Sequence, residues 1–139
     1  MKRNEPVSKI MTTNPVTVHT KQKPSDVRRA MAENKCHHLP VVSGAKLLGL
    51  ITASDMLGVS VEGTGADQRS MDAYLDHQFT IETLMAKDLR TLAPNATIRE
   101  AADALCDGSF HALPVIDDDG ELKGIVTSTD LIRHLRDQY

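Results

Sequence analysis

The residues best suited to chemistry form a motif that the chain carries twice, Gly-x-x-Thr-x-x-Asp. Its copies are Gly49, Thr52 and Asp55, and Gly124, Thr127 and Asp130. In each copy an apolar segment ends and a predicted helix begins. Backbone N–H groups and a Thr hydroxyl at a helix start can bind phosphate oxygens. A carboxylate can accept hydrogen bonds from two vicinal hydroxyls, such as those of a ribose. The motif therefore favours nucleotide binding.

The same spacing is also typical of a helix cap that binds no ligand. Thr-x-x-Asp resembles a capping box, and the helix dipole favours an acidic residue in the first turn. Duplication does not decide between the two interpretations, because a repeat duplicates its structural caps as well. Both remain open at this point.

Histidines precede an apolar strand in both halves of the chain: His37 and His38 in the first, His111 in the second. An imidazole can donate to phosphate and titrates near neutral pH, or it can be a strand-edge residue without a ligand. A metal site that adds Cys36 is not expected, because adjacent residues on a strand point to opposite faces. The same geometry argues against a Cys36–His37 nucleophile pair, and no other catalytic motif is present. We predict no catalytic residues and no enzyme.

Both motifs belong to an internal repeat. Met11 aligns with Met85 and Pro40 with Pro114, an offset of 74, and one extra residue in the turn at 117–121 makes the offset 75 thereafter. Each copy predicts the order β-α-β-β-α. The predicted fold class is therefore α/β (α+β), with two pseudo-symmetric repeats packed through their sheets into one module. The predicted boundaries are 7–58 for repeat 1, 59–79 for an inter-repeat loop and helix, and 80–136 for repeat 2.

Local signals place the helices of this plan. Ser25, after a proline, is the expected N-cap of the first helix, and the terminal helices are expected to start near Ser54 and Thr129. Small polar residues predict a loop over 59–70. Apolar residues at helical spacing over 71–79 predict a helix that contributes to the core or to a dimer contact.

Composition limits the possible partners. The chain has 139 residues, a net charge of -3 and 3% aromatic residues, which argues against nucleic-acid binding. No apolar run approaches the roughly 20 residues of a membrane helix, so no membrane partner is expected. Cys36 and Cys106 lie far apart, which indicates two reduced thiols packed as small apolar side chains in a cytoplasmic protein.

Four motifs together resemble the cystathionine-β-synthase (CBS) domain family: I-M, N-P-V-T-V, H-L-P-V-V and G-L-I-T-x-x-D. The tandem pair resembles a Bateman module. The resemblance extends from about Val7 to Arg136. It implies that the chain requires no cofactor and binds an adenosyl ligand in clefts between its repeats. The implied ligands are AMP, ADP and ATP, and less often S-adenosylmethionine or NAD.

The resemblance also implies roles for individual residues. Asp55 and Asp130 would hold the ribose, and Thr52 and Thr127 would meet the phosphate. The residues expected to line the adenine slot are Thr17, Val18, Thr91, Leu92, Pro40, Val41, Pro114 and Val115. His37, His38 and His111 match positions of phosphate-contacting basic residues, although Ala112 replaces the second histidine in repeat 2. Few arginines lie near either motif, which favours a monophosphate over a triphosphate.

The predicted function is that of a stand-alone regulatory module, which senses a nucleotide and signals through a change in conformation or association. A homodimer and an unidentified effector protein are the expected partners. Two alternatives remain: an interaction scaffold whose clefts are empty, and an enzyme that turns over a bound nucleotide.

Overall fold

The computed structural model describes residues 4–59 and 67–139, which form two compact units. The central unit is Val16–Asp88, and the N/C unit combines the residues up to Pro15 with Leu89–Tyr139. A short 3-10 turn covers Val7–Lys9. The strands are β1 (Thr12–Thr13), β2 (Val18–His19), β3 (His38–Ser43), β4 (Lys46–Thr52), β5 (Ala112–Ile116) and β6 (Leu122–Thr127). The helices are α1 (Pro24–Asn34), α2 (Ala53–Val59), α3 (Gln68–Gln78), α4 (Ile81–Leu84), α5 (Ile98–Leu105) and α6 (Ser128–Asp137).

The central unit is built on a sheet of order β2-β3-β4, in which β2 is parallel and β4 antiparallel to β3. The β3–β4 turn contains Gly44 at φ 61°, a left-handed conformation that glycine adopts without steric cost. Leu39 and Ile51 from the sheet pack with Val27 of α1 and Ile81 of α4, and all four side chains are fully buried. The elements β2-α1-β3-β4-α2 confirm the predicted order for repeat 1.

Helix α1 begins one residue before Ser25, the expected N-cap. Lys23 is the N-cap, and its backbone N–H donates to Asp26 Oδ2 at 2.9 Å. Pro24 follows at the first helical position, where a missing N–H leaves no bond unmade. The N–H and hydroxyl of Ser25 instead donate to Asp76 of α3 at 2.9 and 2.7 Å. The N-cap prediction is wrong because Ser25 lies inside the helix, and its hydroxyl donates to a carboxylate of another helix instead of capping α1.

A bidentate ion pair between Arg28 of α1 and Asp72 of α3 holds the two helices together. Arg28 Nε and Nη2 donate to the two carboxylate oxygens of Asp72 at 2.7 and 2.9 Å. The hydrogen bond from Arg28 lowers the pKa of Asp72 below its ordinary value. Leu75 is buried, which agrees with the predicted core role of segment 71–79, whereas Tyr74 is 43% exposed.

The N/C unit has a second sheet of order β1-β6-β5, with both strand pairs antiparallel. Repeat 2 was expected to begin with a strand, but that strand is reduced to a single parallel bridge between Leu92 and Val115. Leu113 and Val126 pack with Ala101 of α5 in a core that also takes in Val7 from the start of the chain. Two small sheets and several helices confirm the α+β class.

The segment that opens each sequence repeat packs in the unit formed by the other. Strand β1, near the start of repeat 1, pairs with β6 of the N/C unit. In the central unit, the N–H and C=O of Ala86 exchange hydrogen bonds with Leu50 at 2.9 and 3.0 Å. These contacts require Gly49 and Gly124: a Cβ on Gly49 would lie 2.7 Å from Ala86 O, and one on Gly124 2.7 Å from Thr12 O.

Several boundaries differ from the expectations. Helices α2 and α6 each begin one residue earlier than predicted, at Ala53 and Ser128. The predicted loop over 59–70 is wrong at both ends, because Val59 closes α2 and Gln68 opens α3; its middle lies outside the described residues. Cys106 is exposed rather than packed, whereas Cys36 is half-buried against the core of the central unit.

No helix within residues 4–59 or 67–139 combines the length and the apolar character that crossing a membrane requires.

Candidate ligand-binding sites

In the central unit, the first Thr-x-x-Asp motif forms a reciprocal capping box at the start of α2. The backbone N–H of Thr52 donates to Asp55 Oδ2 at 2.8 Å, and the N–H of Asp55 donates to Thr52 Oγ1 at 3.1 Å. The motif therefore does cap the helix, as one of the two interpretations of the sequence predicts. The box uses Oδ2 of the carboxylate and an acceptor lone pair of the hydroxyl. Asp55 Oδ1 and the hydroxyl proton of Thr52 take no part in it.

In the N/C unit the second motif forms the same box at the start of α6. The Thr127 N–H donates to Asp130 Oδ2 at 2.9 Å, and the Asp130 N–H lies 3.4 Å from Thr127 Oγ1. Here the Thr127 hydroxyl also lies 3.2 Å from Asp130 Oδ2, and Arg133 Nη1 lies 3.7 Å from Oδ1. Asp130 is only 7% exposed, whereas Asp55 is half-buried. The two carboxylates have different surroundings.

His37 and His111 contact the starts of α2 and α6 through their backbone carbonyls. The N–H of Ala53 donates to His37 O at 2.8 Å, and the N–H of Ser128 donates to His111 O at 3.3 Å. First-turn N–H groups expected to receive phosphate are therefore already bonded within the chain, so that expectation is wrong for Ala53 and Ser128. The imidazoles of His37 and His111 are exposed. His38, at the start of β3, is half-buried and pairs in register with Thr52.

In each unit, residues assigned to the adenine slot lie next to one another on paired backbone segments. In the central unit Val18 pairs with Val41, and in the N/C unit Leu92 N donates to Pro114 O at 3.0 Å. Most of these side chains are buried core rather than open lining: Val18, Pro40, Val41, Leu92, Pro114 and Val115. Thr17 and Thr91 are half-buried. Contacts from this set to a ligand would thus come largely from backbone atoms and the two threonines.

One surface cavity is lined by residues that follow the slot residues Val18 and Val41 in the chain. It has a volume of about 460 Å³ and is lined by His19, Thr20, Lys21, Val42, Ser43 and Gly44. Its lining follows β2 and the end of β3, whereas Thr52 and His38 meet at the opposite end of β3. The cavity does not include a predicted site residue.

The described residues contain no cluster of three or more His, Cys, Asp or Glu side chains that could hold a metal ion. Cys36 and His37 lie before β3 rather than on it, so the strand alternation invoked for them does not apply. Burial raises the pKa of the Cys36 thiol, which reduces its thiolate fraction near neutral pH. This environment does not suit a nucleophile.

Sequence reasoning missed Arg133, which lies beside the motif, and misread the role of two glycines. Arg133 approaches Asp130 from one helical turn away, and an i, i+3 acid–base spacing after a capping box could have indicated it. Gly49 and Gly124, read as parts of a ligand motif, make room for the crossing segments at Ala86 and Thr12. A glycine inside an apolar strand is the signal for such a close approach.

Comparison with known sequences gives two matches to one family. The family model for the CBS domain matches residues 7–62 and again residues 81–137, which together make up most of the chain. The uncharacterized protein MJ1225 of Methanocaldococcus jannaschii is 27% identical over 134 residues, covering 94% of this chain and 47% of MJ1225. A homoserine O-acetyltransferase of Methanohalobium evestigatum is 33% identical over 128 residues, covering 91% of this chain and 23% of that enzyme. The chain thus spans less than half the length of either relative.

Solved structures share the fold over nearly the whole chain. CBSX2 of Arabidopsis thaliana in complex with AMP gives a TM-score of 0.79 at 23% identity, covering 97% of this chain and 99% of CBSX2. The CBS domain pair of MJ0100, in complex with 5-methylthioadenosine and S-adenosyl-L-methionine, gives 0.79 at 24% identity, with coverages of 99% and 100%. At these identities the similarity establishes the fold.

Proposed function

Because the chain belongs to the CBS-domain family and carries two such domains in tandem, we propose that it is a regulatory module that binds an adenosyl ligand. The observation that carries this proposal is the geometry of the two Thr-x-x-Asp motifs. Each fixes a carboxylate through Oδ2 at the end of a strand, β4 or β6, whose partner strand carries two of the predicted adenine-slot residues. A carboxylate fixed in this way accepts ribose hydroxyls without first having to be ordered.

The proposed contacts are equivalent in the two units. Asp55 and Asp130 would accept hydrogen bonds from the ribose hydroxyls through Oδ1. The slot residues Thr17, Val18, Pro40 and Val41 would border the adenine in the central unit, and Thr91, Leu92, Pro114 and Val115 in the N/C unit. Since the slot side chains are largely buried, their role would be to hold backbone donors and acceptors in place.

The phosphate would be bound by side chains rather than by a free helix start. Ala53 and Ser128, the first residues of their helices, already donate to His37 and His111 carbonyls. The remaining phosphate donors are the Thr52 hydroxyl and the exposed imidazoles of His37 and His111. His38 lies beside Thr52. Because these donors are few, the sites suit a monophosphate better than a triphosphate. AMP is therefore the preferred candidate over ADP, ATP, S-adenosylmethionine and NAD.

Family members of the same fold support a sensing role. CBSX2 is known in complex with AMP, and the MJ0100 pair in complex with two other adenosyl compounds. The match to the acetyltransferase involves 23% of that protein, in the part that aligns with the CBS segments, so it provides no argument for catalysis here. We propose that the chain is not an enzyme and that it acts in the cytoplasm.

The signal would pass through association. Leu57 on α2 and Ile132 on α6 occupy equivalent positions of the two repeats and are 70% and 65% exposed. Large apolar side chains at these exposures favour a protein interface. We propose a homodimer, or an effector protein bound in its place, whose stability changes when the ligand binds. Energy sensing would follow if AMP and ATP compete for the sites.

The capping boxes also favour a second candidate, an interaction scaffold without a ligand. In that case Asp55 and Asp130 serve only to cap α2 and α6. Losing one cap costs about 1 kcal/mol of stability and nothing else.

Binding measurements on the whole chain separate the candidates. Thermal denaturation is followed with AMP, ADP, ATP, S-adenosylmethionine, NAD and GMP, and ligands that raise the transition are titrated by calorimetry. A ligand at 100 times its dissociation constant stabilises by about 2.7 kcal/mol. The double variant Asp55→Ala, Asp130→Ala should abolish the shift while remaining folded.

Asp67→Ala is the matched control. Asp67 caps α3 by accepting from the Ser70 N–H at 2.8 Å and lies outside both motifs. Its loss removes one cap where the double variant removes two, so it should lower stability by about half as much and leave the ligand shift intact. If no adenosyl compound shifts the wild-type chain, the scaffold replaces the sensor. If the double variant still binds, the assigned ribose contacts are wrong.

A further inference from the structure

The position three residues after each motif aspartate differs between the repeats. Arg133 follows Asp130, and Gly58 follows Asp55; the two positions are related by the same offset of 75 that relates the aspartates. Arg133 Nη1 lies 3.7 Å from Asp130 Oδ1, and its side chain is 63% exposed. Gly58 has no side chain, and a Cβ there would meet no atom within 4 Å.

Both oxygens of Asp130 consequently have neighbours within the chain. Oδ2 accepts from the Thr127 N–H and lies 3.2 Å from its hydroxyl, and Oδ1 faces the guanidinium of Arg133. Asp55 has the same capping bond on Oδ2, but Gly58 cannot place a charge beside its Oδ1. Ribose hydroxyls would compete with Arg133 at Asp130, whereas the equivalent position at Asp55 is Gly58, which has no side chain to compete.

From this difference, and on the basis of the proposed function, we infer that the two sites select ligands by charge. A neutral nucleoside that takes Oδ1 of Asp130 leaves Arg133 without its partner. A phosphorylated nucleoside brings an anion that restores the balance of charge. Arg133 therefore adds to the preference of the Asp130 site for nucleotides over nucleosides, and the Asp55 site lacks this contribution. Arg133 is the residue that determines this specificity.

The size of the effect follows from the exposure of Arg133. A pair with one exposed partner contributes little in water, so the AMP-to-adenosine preference conferred by Arg133 is about three- to fivefold. Added salt screens an exposed charge, so the preference should decrease as the ionic strength rises. A purely steric role for Arg133 would not respond to salt.

The test isolates each site in the full chain and exchanges the residue that differs. Asp55→Ala leaves the Asp130 site, and Asp130→Ala leaves the Asp55 site. The Kd values for AMP and adenosine are measured by calorimetry at low and high salt in each background. Adding Arg133→Ala to the first should reduce the AMP preference, mainly by tightening adenosine. Adding Gly58→Arg to the second should increase its AMP preference.

Gly58→Ala is the uncharged control, because it fills the same open space without a guanidinium. An AMP preference unchanged by both Arg133→Ala and Gly58→Arg, in sites that do bind, overturns the inference and leaves the proposed function standing. A preference that Gly58→Ala produces as well also overturns it, because charge is then not the cause. Absence of binding in the unmodified chain overturns both.

Discussion

Gly124 lies so close to Met11 that a Cβ at this position would come within 2.7 Å of the Met11 sulfur. Gly49 has the same relationship to Met85, also at 2.7 Å. The segment at the start of each repeat, which ends in Met11 or Met85, is thus packed on a glycine that belongs to the other repeat. A side chain on either glycine would push this segment away from the sheet.

Gly49→Ala and Gly124→Ala should each destabilise the protein by about 1–3 kcal/mol, because the added methyl also meets a backbone carbonyl that cannot move freely. Urea denaturation measures the loss. Gly58→Ala is the control: it lies in α2 with open space around it, so it should gain up to about 1 kcal/mol from helix propensity. Equal effects at all three glycines would mean that close packing is not the reason for Gly49 and Gly124.

Asp72→Asn should destabilise the central unit by about 1 kcal/mol near neutral pH, because it removes the charge from a pair that is only partly exposed. Arg28 lowers the pKa of Asp72 in the folded protein, so the contribution is present above the unfolded pKa of 3.8 and is lost as the pH falls through the folded pKa. The stability difference between wild type and variant should therefore shrink as the pH falls below about 4. A difference that is constant over this range would assign the effect to packing instead.

Asp76→Ala should destabilise the protein more than Ser25→Ala does. Asp76 accepts from both the N–H and the hydroxyl of Ser25, so its removal leaves both groups without their acceptor. Ser25→Ala removes only the hydroxyl and keeps the backbone bond. The expected costs are about 1–2 kcal/mol and below about 1 kcal/mol. Thermal unfolding of the two variants gives the order, and the reverse order would restore Ser25 to its predicted role as a cap.

Cys106 should react with a thiol reagent well before Cys36. Cys106 is exposed at the end of α5, whereas Cys36 is half-buried and burial raises the pKa of its thiol. Both lower access and a smaller thiolate fraction slow Cys36. Mass spectrometry of Cys36→Ser and Cys106→Ser at mildly alkaline pH measures each rate separately. Faster labelling of Cys36 would contradict its placement against the core.

The repeat and the α+β class could be predicted from sequence because they rest on local patterns that occur twice. The strand pair around Leu39 and Ile51 follows from apolar runs separated by a Ser-Gly turn. Features that depend on distant residues were not predictable in this way. Ser25 looks like a cap until Asp76, 51 residues away, is placed beside it.

The candidate site shows the same division. The Thr-x-x-Asp motif was identified from its spacing, but the spacing alone could not tell whether the first-turn N–H groups are free. The carbonyls of His37 and His111 that bind them belong to the residues just before β3 and β5. The unequal burial of Asp55 and Asp130 likewise depends on packing that identical motifs do not reveal.

The crossing of the opening segments also fixes an order of events during synthesis. The central unit is contiguous and can fold once Asp88 has left the ribosome, but the N/C unit needs β1 together with β5 and β6, more than 95 positions later. Contacts between such distant residues form late. Val7 and Met11, which are made before the central unit, must wait with their apolar side chains uncovered until β5 and β6 have been made. A nascent chain of this protein is therefore vulnerable to aggregation around Val7 and Met11.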